Sequence, residues 1–128
     1  MLNINTIISD FSTILGGKVM SLSEEWVNTE LSNSEFEILH RAPDVEYSFY
    51  NSVKAGDMDA VIENCKQDAF INLEGTGVLS QNPLTNIKYH FVVTTAMITR
   101  YCIDGGLEAE QAYRLSDFYI LKMDSCST

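Results

Sequence analysis

One uninterrupted stretch constrains this chain more than any other. From Asn82-Pro83 to Gly105-Gly106 the sequence runs without an internal glycine or a second proline. Asparagine offers a side-chain acceptor to the free N–H groups of a first helical turn. Proline fits the next position because its missing N–H has no partner there anyway. The glycine pair is stop chemistry. The spacing predicts one helix of about 22 residues, roughly 33 Å long. Ile87, Phe91, Thr94, Thr95, Ile98, Tyr101 and Cys102 trace one face, and Val92, Val93, Ala96, Met97 and Ile103 cover most of the remainder. Hydrophilic residues gather at the ends: Lys88 and His90, then Arg100 and Asp104. A helix apolar nearly all round is expected to be buried, with neighbours on several sides.

Shorter helices are expected around it. Pro43 with Asp44 and Glu46 suits a first turn, because acids favour the positive helix end. Val45, Phe49 and Val53 recur every four residues, with Tyr50 beside Phe49, and Lys54 and Gly56 close the segment. This predicts a helix over 44–55. Asp57 caps a second, over 57–67 and ending near Asp68, with Met58, Val61, Ile62 and Cys65 inward; the short joint makes the pair an antiparallel hairpin. A last helix over 108–123 carries Ala112, Leu115, Tyr119 and Lys122 on one track, and Tyr113, Ser116, Ile120 and Met123 on another. It should pack on the long helix, leaving a small polar tail. Residues 69–81 hold Gly75 and Gly77 and no helical period, so they read as a surface loop with room for an extended piece at 70–73. The first forty residues are less legible. Ile4 to Leu15 shows a helical period closed by Gly16-Gly17, while 26–31 and 35–40 each read as helix or strand. The fold class is mainly α: a helical bundle around a long buried central helix at about 82–105, with a less certain amino-terminal segment.

At 128 residues the chain has the length of one domain. Its hydrophobic content of 45%, with 2 prolines and 7 glycines, excludes a disordered or collagen-like chain. Lys and Arg number 8 against 18 Asp and Glu, a net charge of −10, and the cations are spread singly from Lys18 to Lys122. Such a surface repels polyanions, so no direct contact with nucleic acid or an anionic membrane is expected. No apolar run reaches the ~18–20 residues that cross a bilayer. The first residues lack a basic region and carry Asp10 within their apolar stretch, so a cytoplasmic location is expected. Cys65, Cys102 and Cys126 have no paired spacing; Cys65 and Cys102 read as small buried hydrophobes and Cys126 as an exposed tail thiol. With two isolated histidines they form no ligand cluster, so no metal site and no cofactor are expected.

Little in the sequence announces catalysis. Glu108 and Glu110 open a helix and are explained by its dipole. His40 sits beside Arg41 in what reads as a solvated turn. His90, between Tyr89 and Phe91, could be a base, but a hydrogen-bonded structural histidine is the simpler reading. Ser80 and Cys102 lack a GxSxG elbow, and GTGVLS lacks the spacing and the lysine of a phosphate loop. No catalytic residue is assigned, and the chain is not expected to be an enzyme. The tyrosines and phenylalanines could line a ligand cavity between helices, or form a core whose hydroxyls reach the rim. For a ligand, the candidates are Tyr89, His90, Arg100 and Tyr101. Arg100 could hold an anion or make a salt bridge to Asp104, Glu108 or Asp117.

Two stretches resemble a known family. LSQNPLTNIKYHFVVTTAMITRYCIDGGLEAEQAYRLSDFYILKMD, residues 79–124, is similar to a segment just before the DNA-binding domain in a group of AraC-family transcriptional regulators from Gram-positive bacteria. VEYSFYNSVKAGDMDAVIEN, residues 45–64, resembles what those proteins carry ahead of it. The pieces NPL, KYHFVV, RYCI, GGL, AY and LSD occur in the right order. The resemblance implies an amino-terminal sensing or dimerising domain over 1–128, with the helix-turn-helix domain expected after residue 128. The implied partners are a homodimer mate and a small-molecule effector, with no DNA contact by this part. A ligand or partner would bias the packing of the last helix, where Leu115 and Tyr119 are the candidate relay residues. The best-known members carry a β-barrel sugar pocket here. The helical periodicity of this chain departs from that, so sugar binding is not carried over. Two alternatives stand beside this reading: a ligand-free protein-interaction module, and a small enzyme in which His90 or Arg100 meets a carboxylate in an open pocket.

Overall fold

The computed structural model describes residues 3–15, 19–35, 40–66 and 76–127. Among them the chain is mainly α-helical, with no strand: α1 Ile4–Leu15, α2 Val19–Glu35, α3 Pro43–Ala55, α4 Met58–Lys66, α5 Pro83–Asp104 and α6 Ala109–Asp124. The helices belong to two compact units, residues 1–39 and 40–128. No described helix is long and apolar enough to cross a membrane.

In the first unit, Asn3 opens α1 by accepting from the Thr6 N–H at 2.9 Å. α1 packs on α2. The 26–31 segment, open between helix and strand in the sequence, is helical within α2. Its Trp26, Val27 and Leu31 are exposed. Of the 35–40 segment, 36–39 lie outside the described residues.

In the second unit, local chemistry sets each boundary. α3 starts on Pro43 and ends at Gly56, whose φ of 70° is left-handed and whose N–H reaches the Val53 carbonyl at 3.1 Å. Asp57 Oδ1 then caps α4 by accepting from the Ala60 N–H at 3.1 Å. α4 packs on α3, with none of its residues buried. Met58, Ile62 and Cys65 are exposed, correcting the expectation that they point inward. A nine-residue helix laid on one neighbour has little surface to hide. The residues following Lys66, including the expected end near Asp68 and the 70–73 piece, lie outside the described residues.

α5 spans 22 residues as the sequence predicts, and Asn82 Oδ1 accepts from the Thr85 N–H at 3.0 Å. α3 and α6 both pack on α5, which makes it the central element of its unit. Its burial all round is corrected. Thr99 is its one buried residue, whereas Ile87, Tyr89 and Val93 are each about half exposed, at 49%, 50% and 54%. Two neighbours cannot cover the whole circumference of a helix, so the apolar residues between the two contact lines stay open. Among the unit's described residues the buried hydrophobic side chains are Phe49, Tyr50 and Ala112. Phe49 meets Tyr50 edge-on with ring centroids 5.4 Å apart, and Tyr50 stacks on Tyr101 of α5 at 5.3 Å.

Gly105 links α5 to the short turn ahead of α6. Its conformation is right-handed, so its small size matters for another reason: a Cβ there would run into the Lys54 carbonyl oxygen at the end of α3. α6 then returns along α5. Glu108 caps it, its carboxylate accepting from the Glu110 and Gln111 N–H groups at 3.0 and 2.7 Å. Ala112 and Ser116 are its buried residues. Lys88 near the start of α5 donates from Nζ to the Asp124 carbonyl at the end of α6, at 2.8 Å, so the two helices run antiparallel.

Candidate functional site

Two cavities border α5 in the unit over 40–128, and Phe91 lines both. The first, of about 310 Å³, lies between α5 and α6. Thr99, Ala112 and Ser116 form its floor, and Phe91, Leu107, Leu115 and Tyr119 its walls. Its lining is almost wholly apolar, and Cys102 contributes a half-buried thiol. No base accompanies that thiol among the lining residues.

The second cavity, of about 330 Å³, lies where Arg41, α3, the Thr76 segment and α5 meet. Its polar lining is Arg41, Glu46, Tyr50, Thr76, His90 and Thr94; its apolar wall is Ile87, Phe91, Val93 and Met97. The Tyr50 phenol is hydrogen-bonded with Thr94. Burial raises its pKa above 10.0, against the lowering effect of that bond. The phenol therefore stays protonated at neutral pH. Glu46 and Arg41 both act on it electrostatically, in opposite directions.

His90 reaches the Gly77 carbonyl oxygen with Nε2 at 2.6 Å. A carbonyl oxygen only accepts, so Nε2 carries the proton and donates it. One turn earlier, Asn86 Oδ1 accepts from the N–H groups of Leu79 and Ser80 at 2.7 and 3.2 Å. Asn86 and His90, four apart on one face of α5, thus tie residues 77–80 along the helix. His40 also crowds Gly77, where a Cβ would strike its imidazole.

The four ligand candidates from the sequence do not meet in one place. His90 lines the second cavity; Tyr89, Arg100 and Tyr101 line neither. Tyr101 is taken up in the stack with Tyr50, and Tyr89 is half exposed. Arg100 donates from Nη1 to the Ala96 carbonyl at 3.1 Å and lies 5.5 Å from the Tyr113 ring centroid. No carboxylate pairs with it among the described residues, where the salt bridge present is the exposed Arg114–Glu110 contact. Leu115 and Tyr119 do come together, in the groove against α5. Sequence reasoning missed Arg41, Glu46 and Thr94 as cavity-lining residues; the place of Arg41 and Glu46 on either side of Pro43 is the one signal they carry. No cluster of three metal-ligating side chains occurs among the described residues.

Comparison with protein-family models, with curated proteins and with solved structures finds no match to this chain.

Proposed function

We propose that this chain is the regulatory part of an AraC-type transcription regulator, acting by sensing a small molecule, by dimerising, or both, and not itself contacting DNA. The reading is supported by the resemblance of residues 45–64 and 79–124, together with one structural observation that carries its mechanism. Among the described helices, α6 packs on α5 alone, across the open groove that Leu115 and Tyr119 line. A helix with a single packing partner is one that a ligand or mate can tilt at little cost. The shift can be no larger than the differential affinity of that ligand for the two arrangements. The acidic balance of −10 agrees with a part that leaves phosphate contacts to another domain.

The test joins the chain to a helix-turn-helix pair of this family and measures operator affinity with Leu115→Ala and Tyr119→Ala. A changed response in either supports the relay; unchanged regulation in both overturns it.

A second reading, a ligand-free protein-interaction module, is favoured by the outer surface of α6, where Phe118 and Leu121 are 51% and 70% exposed. Concentration-dependent self-association by sedimentation, with stability unmoved across a metabolite panel, selects this reading over the sensor.

A further inference from the structure

The cavity between α5 and α6 holds one feature that packing does not explain. Ser116 is 8% exposed, yet among the described residues its hydroxyl has no hydrogen-bond partner. A buried hydroxyl left unpaired is costly, so such groups are rare and call for a reason. A hydroxyl inside a helix commonly turns back to the carbonyl four residues earlier. Thr99, on the same cavity floor, does so, donating to the Thr95 carbonyl oxygen at 2.7 Å. Ser116 makes no such bond and lines the cavity instead. The walls set the character of what the hydroxyl can meet there. None of the lining residues carries a charge, so an ion would lose its hydration without gaining a partner. Phe91 and Tyr119 present rings, which favour an aromatic guest. The volume of about 310 Å³ exceeds the ~150 Å³ cavity that holds a benzene by enough to admit a second fused ring.

We propose that this cavity binds an uncharged two-ring aromatic compound carrying one hydrogen-bonding group, with that group on the Ser116 hydroxyl and the rings against Phe91, Leu115 and Tyr119. A hydroxyl both donates and accepts, so an N–H, an O–H or a carbonyl on the ligand serves equally. Binding relieves two costs together, the unpaired hydroxyl and the apolar walls left to water. An acid of the same size is opposed by those walls and by the net charge of −10. Ile98 and Thr99 line the cavity from α5, and Leu115 and Ser116 from α6, so the ligand touches both helices. This is the groove of the regulatory reading above, and the compound's part as effector rests on that reading, but its binding does not.

Calorimetry and backbone-amide NMR on the full chain test this with indole and 2-naphthol as probes. Benzothiophene, which keeps the two rings but lacks the N–H, and indole-2-carboxylate, which adds a charge, are the controls. Ser116→Ala should weaken indole about threefold to tenfold, the effect of one neutral hydrogen bond, and leave benzothiophene unchanged. Indole-2-carboxylate should bind about tenfold or more weakly than indole, because its charge finds no partner. Thr95→Phe, which fills the cavity from the α5 side, should abolish binding of indole and benzothiophene in a chain whose helical circular dichroism is unchanged. Equal effects of Ser116→Ala on indole and benzothiophene overturn the proposal, as does a carboxylate that binds as tightly as indole. So does the absence of any resonance shift at Thr99, Leu115 and Ser116 with either probe up to about 5 mM, where a ligand of about 1 mM affinity is mostly bound. Binding without an effect on operator affinity leaves this site standing and overturns only the regulatory reading. Altered regulation in Leu115→Ala with neither probe bound overturns the site alone.

Discussion

Two glycines and a tyrosine show how differently a single residue can matter here. Gly56 sits at φ 70° with open space around it, so Gly56→Ala should cost about 1 kcal/mol, from backbone conformation alone. Gly105 has an ordinary φ of −79°, yet its neighbour is the Lys54 backbone. Gly105→Ala should cost about 1–3 kcal/mol, because α3 and α5 must separate to admit the methyl group. Urea denaturation of the two variants checks this, and unchanged stability in Gly105→Ala would rule out the close approach. Both glycines were legible as helix stops; that one of them is also a contact point was not, because the contact joins residues about fifty positions apart. Tyr50 carries a pH dependence of known sign. Burial raises its pKa, so the folded state is favoured while the phenol is protonated, below about pH 10, and the contribution disappears as pH rises through the folded value. Tyr50→Phe should therefore lose less stability than the parent as pH rises above about 10. A parallel alkaline decline in both proteins would contradict it.

At the level of elements, the boundaries followed from capping chemistry. Asn82, Pro83 and Gly105 bracket α5, and Glu108 caps α6, one residue from where the sequence placed the helix start. Which faces these helices bury was less readable. Every apolar residue of α5 contributes equally to a hydrophobic pattern, but only those facing α3 or α6 are covered. The energetic weight falls on α3, which supplies Phe49 and Tyr50. Phe49, 4% exposed, should cost about 3–5 kcal/mol when replaced by alanine. Leu121 on α6 is 70% exposed, and Leu121→Lys should change stability by no more than about 0.5 kcal/mol. Thermal unfolding of the two variants measures the contrast, and a large loss in Leu121→Lys would show that α6 has a partner beyond α5.

For the molecule as a whole, the excess of acidic groups is the dominant long-range term. With a net charge of −10 and an exposed Arg114–Glu110 bridge, repulsion among carboxylates opposes the compact state more than that ion pair supports it. Raising sodium chloride from about 0.05 to 0.5 M shortens the screening length and should raise Tm. A Tm that falls with salt would mean that attractive pairs outweigh the repulsion.

The sequence by itself determined that the chain is helical, where most helices begin and end, and that it carries a strong negative charge. Those properties depend on residues within a few positions of one another, on capping hydrogen bonds, fixed φ angles and turn-to-turn periodicity. The tertiary structure alone decided which apolar residues go under cover. It also set apart Arg100 and His90, and brought Arg41 and Glu46 to the cavity that α5 lines. The reason is geometric: a side chain's neighbours across the chain depend on how helices cross, and no local spacing encodes that crossing.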